Sequence, residues 1–286
     1  MSRPPLVGRA EPPDLHVMTF NVRRRIDRVW GRPADRWSRR RPAVQELLRT
    51  EQPALLGVQE ALPDQAQVIA RALGDGYRFA GRGSRAGGRG EGCPIFFDTE
   101  RLELLEWEQT ALSSRPHEPG SRTWGNLIPR ILVQAAFRDR ATGATFVALN
   151  THLDPFSPAS RVHAAGEIRS RVAMQPLPAV VTGDLNARPG SPALRELCSG
   201  DVLTDAWTAT TERLTPAWKT FASYRTPRAG RARGGESRDA RIDWIAVSPA
   251  VTVSRVAINA RRFDGRWPSD HLPVQAVVRI PQRDAP

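Results

Sequence analysis

Apolar and polar positions along the chain fall into short runs rather than long amphipathic repeats. Leu15 to Val22 (LHVMTFNV) alternates and is rich in strand formers, so it predicts a first strand that delivers Asn21 at its end. Ala54 to Gln59 is a second apolar run, ending in Glu60. Further strands are predicted over Cys93 to Phe97, Ile131 to Phe137 and Thr145 to Leu149, the last two joined by a hairpin at Ala141 to Ala144. Pro178 to Ala187 (PAVVTGDLNA) is a β-branched run that stops at Gly183 and presents Asp184 and Asn186, two positions apart and so on one side of an extended chain. Ile242 to Val247 and Val274 to Ile280 complete the set, the latter preceded by Ser269, Asp270 and His271. Helical spacing marks Ala43 to Arg49 (stopped by Pro53), Asp64 to Leu73, Ala159 to Met174, and a short helix from Ser191 to Leu197 with Pro192 at its first position.

Between these elements lie a basic loop at Arg23 to Arg41 containing WSRRRP, a glycine and arginine stretch at Gly81 to Gly92, a polar loop at Ser113 to Trp124, and a Gly/Arg/Ser-rich segment at 228–239, expected to be flexible. The 81–92 stretch lacks the Gly-Lys-Ser/Thr ending of a P-loop, so it reads as a surface loop. Apolar strands recur from end to end without a repeat or a linker. The expectation is a Pro-rich disordered lead-in over 1–14 and one domain over 15–282.

Composition adds little to this. The net charge of +12 is compatible with a polyanionic substrate. However, Lys219 is the only lysine, and an excess of arginine alongside abundant Ala, Pro and Gly has a sufficient cause in the codon usage of a GC-rich genome. Two distant cysteines, Cys93 and Cys198, suggest neither a zinc site nor a disulfide framework. With no apolar run long enough to cross a membrane, a soluble cytoplasmic monomer is expected.

The candidate chemistry gathers at strand ends: Asn21, Glu60, His152, Asp184 with Asn186, Asp243, and Asp270 with His271. Polar groups there are costly to bury unless they pair or hold an ion. Oxygen donors suit a hard cation such as Mg²⁺ or Mn²⁺, and histidines suit proton transfer near neutral pH.

Seven segments, TFNVR at 19–23, GVQE at 57–60, GEGCPIFFD at 90–98, NTHLD at 150–154, TGDLNA at 182–187, RIDWI at 241–245 and SDHLPV at 269–274, resemble the endonuclease/exonuclease/phosphatase superfamily in the family's order. The resemblance implies an α/β fold of the deoxyribonuclease-I-like type, a four-layer α/β/β/α sandwich of two mixed β-sheets. It also implies metal-dependent hydrolysis of a phosphate ester. Glu60 would then be the main metal ligand, with Asn21 and Asp270 completing the Mg²⁺ or Mn²⁺ region. Asp184 would orient the attacking water, Asn186 would stabilise the phosphorane, and Asp243 would hold His271 against the scissile phosphate. His152 would be a second phosphate contact or proton donor paired with Glu91, and Arg130 a substrate-binding cation. His16, His117 and His163 match no motif. Where nuclease members place a phosphate-binding tyrosine, this chain has Arg85 and Arg89.

The expected substrate is a phosphodiester, with nucleic acid among the candidates. A phosphomonoesterase or a phospholipid or sugar-phosphate hydrolase is the alternative, and a catalytically silent nucleic-acid-binding protein the third reading. The loops at 81–92 and 228–239 are expected to border the site and set substrate choice.

Overall fold

The structure is a computed structural model that describes residues 4–27, 32–227 and 240–282. The strands are β1 (Asp14–Asn21), β2 (Leu55–Gln59), β3 (Tyr77–Ala80), β4 (Gly83–Arg85), β5 (Arg89–Gly92), β6 (Ile95–Asp98), β7 (Leu102–Ala111), β8 (Ile131–Asp139), β9 (Thr145–His152), β10 (Ala179–Asp184), β11 (Thr204–Asp205), β12 (Glu212–Arg213), β13 (Asp243–Val247), β14 (Thr252–Ile258) and β15 (Val274–Arg279). The helices are α1 (Trp37–Glu51), α2 (Pro63–Leu73), α3 (Pro158–Ala173), α4 (Pro192–Leu197) and α5 (Ala206–Ala209). One sheet runs β12-β14-β15-β1-β2-β6-β3 and the other β11-β13-β10-β9-β8-β7, while β4 and β5 form a separate hairpin.

Period-two patterning explains the layering. Leu15 and Val17 of β1 join Phe97, Phe137, Phe146, Val180 and Ile245 in the core between the sheets. Met18, Phe20 and Val22 face the other way, onto Val44, Leu47 and Leu48 of α1 and Ile69 of α2. On the far side, Leu149 and Val181 pack against Ala164, Ile168 and Leu194 of α3 and α4. This is the four-layer α/β/β/α sandwich that the resemblance implies.

Toward the C-terminal ends of β1, β2, β9 and β10 the inter-sheet layer turns polar. Gln59 donates to Thr19 Oγ1 (3.0 Å) on its own sheet and across the gap to Asn150 Oδ1 (2.7 Å). Asn150 returns hydrogen bonds to the carbonyls of Val58 (2.9 Å) and Cys93 (3.0 Å), and Thr182 donates to Asn150 Oδ1 (3.1 Å). The sheets come so close here that a Cβ on Gly57 would fall 2.1 Å from Thr182 Oγ1. Gln59 and Asn150 each reach across to the opposing sheet, which fixes the register of one sheet over the other, although Gln59 Oε1 is left without a partner among the described residues.

Several expectations need correction. Helix α1 starts at Trp37, not Ala43, and takes in the WSRRRP end of the supposed loop, with Pro42 inside it. The 81–92 stretch contains the β4–β5 hairpin. Strands β7 and β14 lie where no element was expected. The lead-in is tied down at Leu6, Val7 and Gly8, whose backbone N–H groups donate to the buried Glu51 carboxylate at 2.8, 3.1 and 3.2 Å. The segment at 228–239 lies outside the described residues.

Candidate active site

Strand register assembles the site. Asn21 of β1 pairs with Gln59 of the parallel β2, so Glu60 emerges beside it. In the second sheet Asp184 stands in register with His152 of the parallel β9 on one side and Asp243 of the antiparallel β13 on the other. The backbone turns sharply just beyond the strands: Arg23, Glu60 and Asn186 adopt positive φ of 55°, 62° and 47°, conformations sustained at a non-glycine residue only where the surroundings enforce them.

Asp184 is the hub. Its Oδ2 accepts from Asn21 Nδ2 at 2.9 Å and lies 3.5 Å from His152 Nε2 and 3.7 Å from His271 Nε2. Its Oδ1 accepts from the Asn186 N–H at 3.0 Å. Asn21 Nδ2 also donates to Glu60 Oε1 at 3.0 Å, while Glu60 Oε2 accepts from the Arg24 N–H at 3.0 Å. His271 Nδ1 sits 2.9 Å from Asp243 Oδ2, as predicted for a carboxylate that fixes a histidine tautomer.

The environment drives these groups apart. Burial opposes a charged His271, but Asp243 and Asp184 outweigh it and push the imidazole up to about 10. Burial, with the charges of Arg130 and His271, holds His152 well below the usual histidine value, so it is neutral. Burial and the neighbouring Asp243 push Asp184 up to about 7. Burial would raise Glu60, yet its hydrogen bonds from Arg24 and Asn21 and the charges of His271 and Arg23 bring it below the ordinary carboxylate range. Burial raises Asp270 against the pull of His271 and Arg23, and burial with the charge of Glu60 raises Glu91.

These side chains line a pocket of about 470 Å³ with Arg23, Arg24, Arg130, Phe156 and Phe221 on its walls. Glu91 is there too, but its carboxylate accepts from Arg24 Nη1 at 3.1 Å instead of pairing with His152. His152 is held by Asn186, whose Nδ2 lies 3.0 Å from His152 Nε2 and donates to the Leu153 carbonyl at 3.0 Å; His152 Nδ1 is buried and without a partner among the described residues. The Asn186 amide nitrogen thus faces two protein groups, the Leu153 carbonyl and the His152 ring. Arg130 is buried with its Nε 3.9 Å from Asp154 Oδ2.

The residues fit a hard cation. Two carboxylates already converge on a positive charge, because the Arg23 guanidinium lies 3.5 Å from Asp270 Oδ2 and 3.9 Å from Glu60 Oε2. Asp184, Asp243 and His271 also bring one ligand atom each within 4.8 Å of one another. There, however, both Asp243 oxygens are turned to His271 Nδ1 (3.2 and 2.9 Å), so Glu60 and Asp270 are the better-disposed pair.

Several participants escaped the sequence reading. Thr220 Oγ1 accepts from the N–H groups of Ile242 (2.9 Å) and Asp243 (3.2 Å), and Phe221 packs its ring 5.1 Å from that of His271. Ser269 Oγ donates to the Asn21 carbonyl at 2.7 Å and joins the two halves of the first sheet's contribution. Ser269 stands inside the SDHLPV motif, where its hydroxyl could have been noticed; Thr220 and Phe221 carry no such signal.

The profile of the endonuclease/exonuclease/phosphatase family matches residues 18–271, and the chain belongs to that family. Among solved structures it is similar to an endonuclease/exonuclease/phosphatase family protein from Bacteroides thetaiotaomicron (27% identity, TM-score 0.83, covering 95% of this chain and 100% of that one). It is also similar to the mannosyl-6-phosphatase Bt3783 of B. thetaiotaomicron VPI-5482 (27%, TM-score 0.81, 92% and 99%). A third likeness is to the endonuclease/exonuclease/phosphatase from Bacteroides vulgatus (28%, TM-score 0.81, 94% and 99%). No curated protein sequence matches the chain. No helix among the described residues is long and apolar enough to cross a membrane.

Proposed function

We propose that the protein is a Mg²⁺- or Mn²⁺-dependent hydrolase of phosphate esters, and that its substrate is a small phosphomonoester of the sugar-phosphate kind. The observation that carries the hydrolase reading is the side-chain network from Glu60 through Asn21 and Asp184 to His271 and Asp243, of which Glu60, Asp184 and His271 line one pocket. Glu60 and Asp270 would hold the cation, with Asn21 orienting Glu60. When bound, the cation polarises a phosphoryl oxygen.

The chain's own groups supply the rest. Asp184, ionised, accepts a proton from the attacking water. His271, kept cationic by Asp243, stabilises the charge that develops on the phosphoryl oxygens, and Arg130 adds a second positive charge. Neutral His152, held by Asn186, stands beside Asp184 without adding a positive charge that would repel the metal.

Two observations support a monoester over the phosphodiester favoured from sequence. A 470 Å³ pocket has the size of a small-molecule site. The arginines around it are not an open track for a polyanion, since Arg23, Arg24 and Arg130 each have a carboxylate within 4 Å. The likeness to a mannosyl-6-phosphatase points the same way. The phosphodiester reading retains the +12 net charge in its favour.

The test is hydrolysis of p-nitrophenyl phosphate, bis-p-nitrophenyl phosphate and a panel of sugar phosphates with Mg²⁺, with Mn²⁺ and with EDTA, alongside Glu60→Ala. Metal-dependent turnover that disappears in the variant while its cooperative unfolding persists is the expected result. Full activity in Glu60→Ala would refute Glu60 as the metal ligand, no metal-dependent turnover of any of these esters would refute the hydrolase assignment, and a preference for the diester would refute the substrate class.

A further inference from the structure

Arg40, in the middle of the basic cluster of α1, is only 1% exposed and is among the largest fully buried side chains. Its guanidinium makes no ion pair among the described residues. It donates instead to five backbone carbonyls: Nε to Asp35 (3.1 Å), Nη1 to Val22 (2.7 Å) and Pro268 (3.2 Å), and Nη2 to Arg23 (3.0 Å) and Arg24 (3.2 Å). The Trp37 ring lies 5.3 Å from its central carbon. A buried charge met only by neutral acceptors is expensive, and burial lowers the pKa of this guanidinium despite the charges of Tyr224, Asp270 and Asp35.

Four of the five carbonyls it holds belong to two loops, and the fifth, Asp35, lies in the short turn ahead of α1. Val22, Arg23 and Arg24 follow Asn21, and the Arg24 N–H is the one that donates to Glu60 Oε2. Pro268 precedes Ser269, whose hydroxyl bonds the Asn21 carbonyl, and Asp270 comes next. A single rigid fork therefore ties together the backbone that presents Asn21, the backbone that orients Glu60 and the backbone that presents Asp270.

We propose that Arg40 is a positioning residue: by clamping the 22–24 loop to the 268–270 loop it sets the separation of Glu60 and Asp270 and thereby the affinity of the site for its divalent cation. This rests on the hydrolase reading above. The planar five-donor geometry is what the clamp needs, because a lysine ammonium has three donors and a single centre and cannot span both loops.

The test compares wild type, Arg40→Lys and Arg101→Lys in the metal-stripped full-length protein. Arg101 is a suitable control, since it makes a buried bidentate pair with Asp139 (2.7 and 2.9 Å) at the end of β8 remote from the site. Mn²⁺ binding is followed by electron paramagnetic resonance, thermal unfolding is measured on the same samples, and turnover of p-nitrophenyl phosphate is titrated with Mn²⁺. Arg40→Lys is expected to fold and to bind Mn²⁺ about tenfold more weakly, the low end of the 10- to 100-fold effects of groups that orient metal ligands. Its KM for the ester at saturating Mn²⁺ should be unchanged, and Arg101→Lys should bind Mn²⁺ as wild type does even if it melts earlier.

Equal Mn²⁺ affinity in Arg40→Lys and wild type overturns the proposal. So does an equal weakening in Arg101→Lys, which would mark general destabilisation, or a failure of Arg40→Lys to fold, which would make Arg40 a determinant of the fold. A wild type that binds no Mn²⁺ removes the hydrolase reading and this proposal with it, whereas Mn²⁺ binding that is insensitive to Arg40→Lys removes this proposal alone.

Discussion

Replacing Asp243 by asparagine keeps the size of the side chain and an oxygen for His271 Nδ1, and takes away the charge. In the native protein burial works against a protonated His271, and the carboxylates, Asp243 first, overcome it to push the imidazole from 6.5 to about 10. A rise of that size corresponds to roughly 5 kcal/mol of stability, in line with the cost of about 3–5 kcal/mol for removing one partner of a buried ion pair. Because the folded value lies above the unfolded one, this stability is complete below about pH 6.5 and is lost as pH climbs through about 10. Asp243→Asn should therefore be less stable than wild type by about 3–5 kcal/mol at pH 7, and the gap should narrow at pH 10 and above. Urea denaturation read by tryptophan fluorescence at the two pH values measures this directly. Turnover should fall by about 10²- to 10³-fold, the usual scale for losing one group that stabilises developing charge. A gap under about 1 kcal/mol at pH 7, or one that does not change with pH, would refute the account of His271 as a cation held by Asp243.

Two further outcomes follow from the geometry. Gly57→Ala places a methyl carbon 2.1 Å from Thr182 Oγ1 and 2.7 Å from Asn150 Oδ1, so it should cost about 1–3 kcal/mol or more by prying the sheets apart; an unchanged urea midpoint would show that the seam yields freely. With Asp184 pushed up to about 7 and active only when ionised, kcat/KM should rise with pH through an acidic limb at or below pH 7, and a limb above pH 8 would exclude Asp184 as the base.

The strand-end residues could be read from the sequence because each motif combines a buried β-run with a polar stop, and the register of β9, β10 and β13 then brings His152, Asp184 and Asp243 together. What eluded that reading has a physical cause in each case. Strands β7 and β14 carry bulges, between Leu104 and Glu106 and between Val253 and Arg255, that break the alternation by which strands are recognised. The start of α1 looked like a loop because Arg40 counts as polar in any pattern, although its charge is satisfied by carbonyls that the sequence cannot place nearby. The pairing expected of Glu91 depended on side-chain competition, and Arg24 reaches its carboxylate. Residues 6–8 look like a disordered tail until the buried acceptor at Glu51 is known.

The polar seam between the sheets has a consequence for how activity and folding are linked. Asn21, Glu60, Asp270 and His271 come from one sheet and its loops, and His152, Asp184, Asn186 and Asp243 from the other. On the proposed reading neither half holds a working set, so catalysis would be a property of the joint and not of either leaf. A species in which each sheet has formed but the two have not yet docked would carry every strand of the native protein and no active centre. Turnover by the proposed site would thus be a gauge of one interface, closing down when the leaves part even if their secondary structure survives.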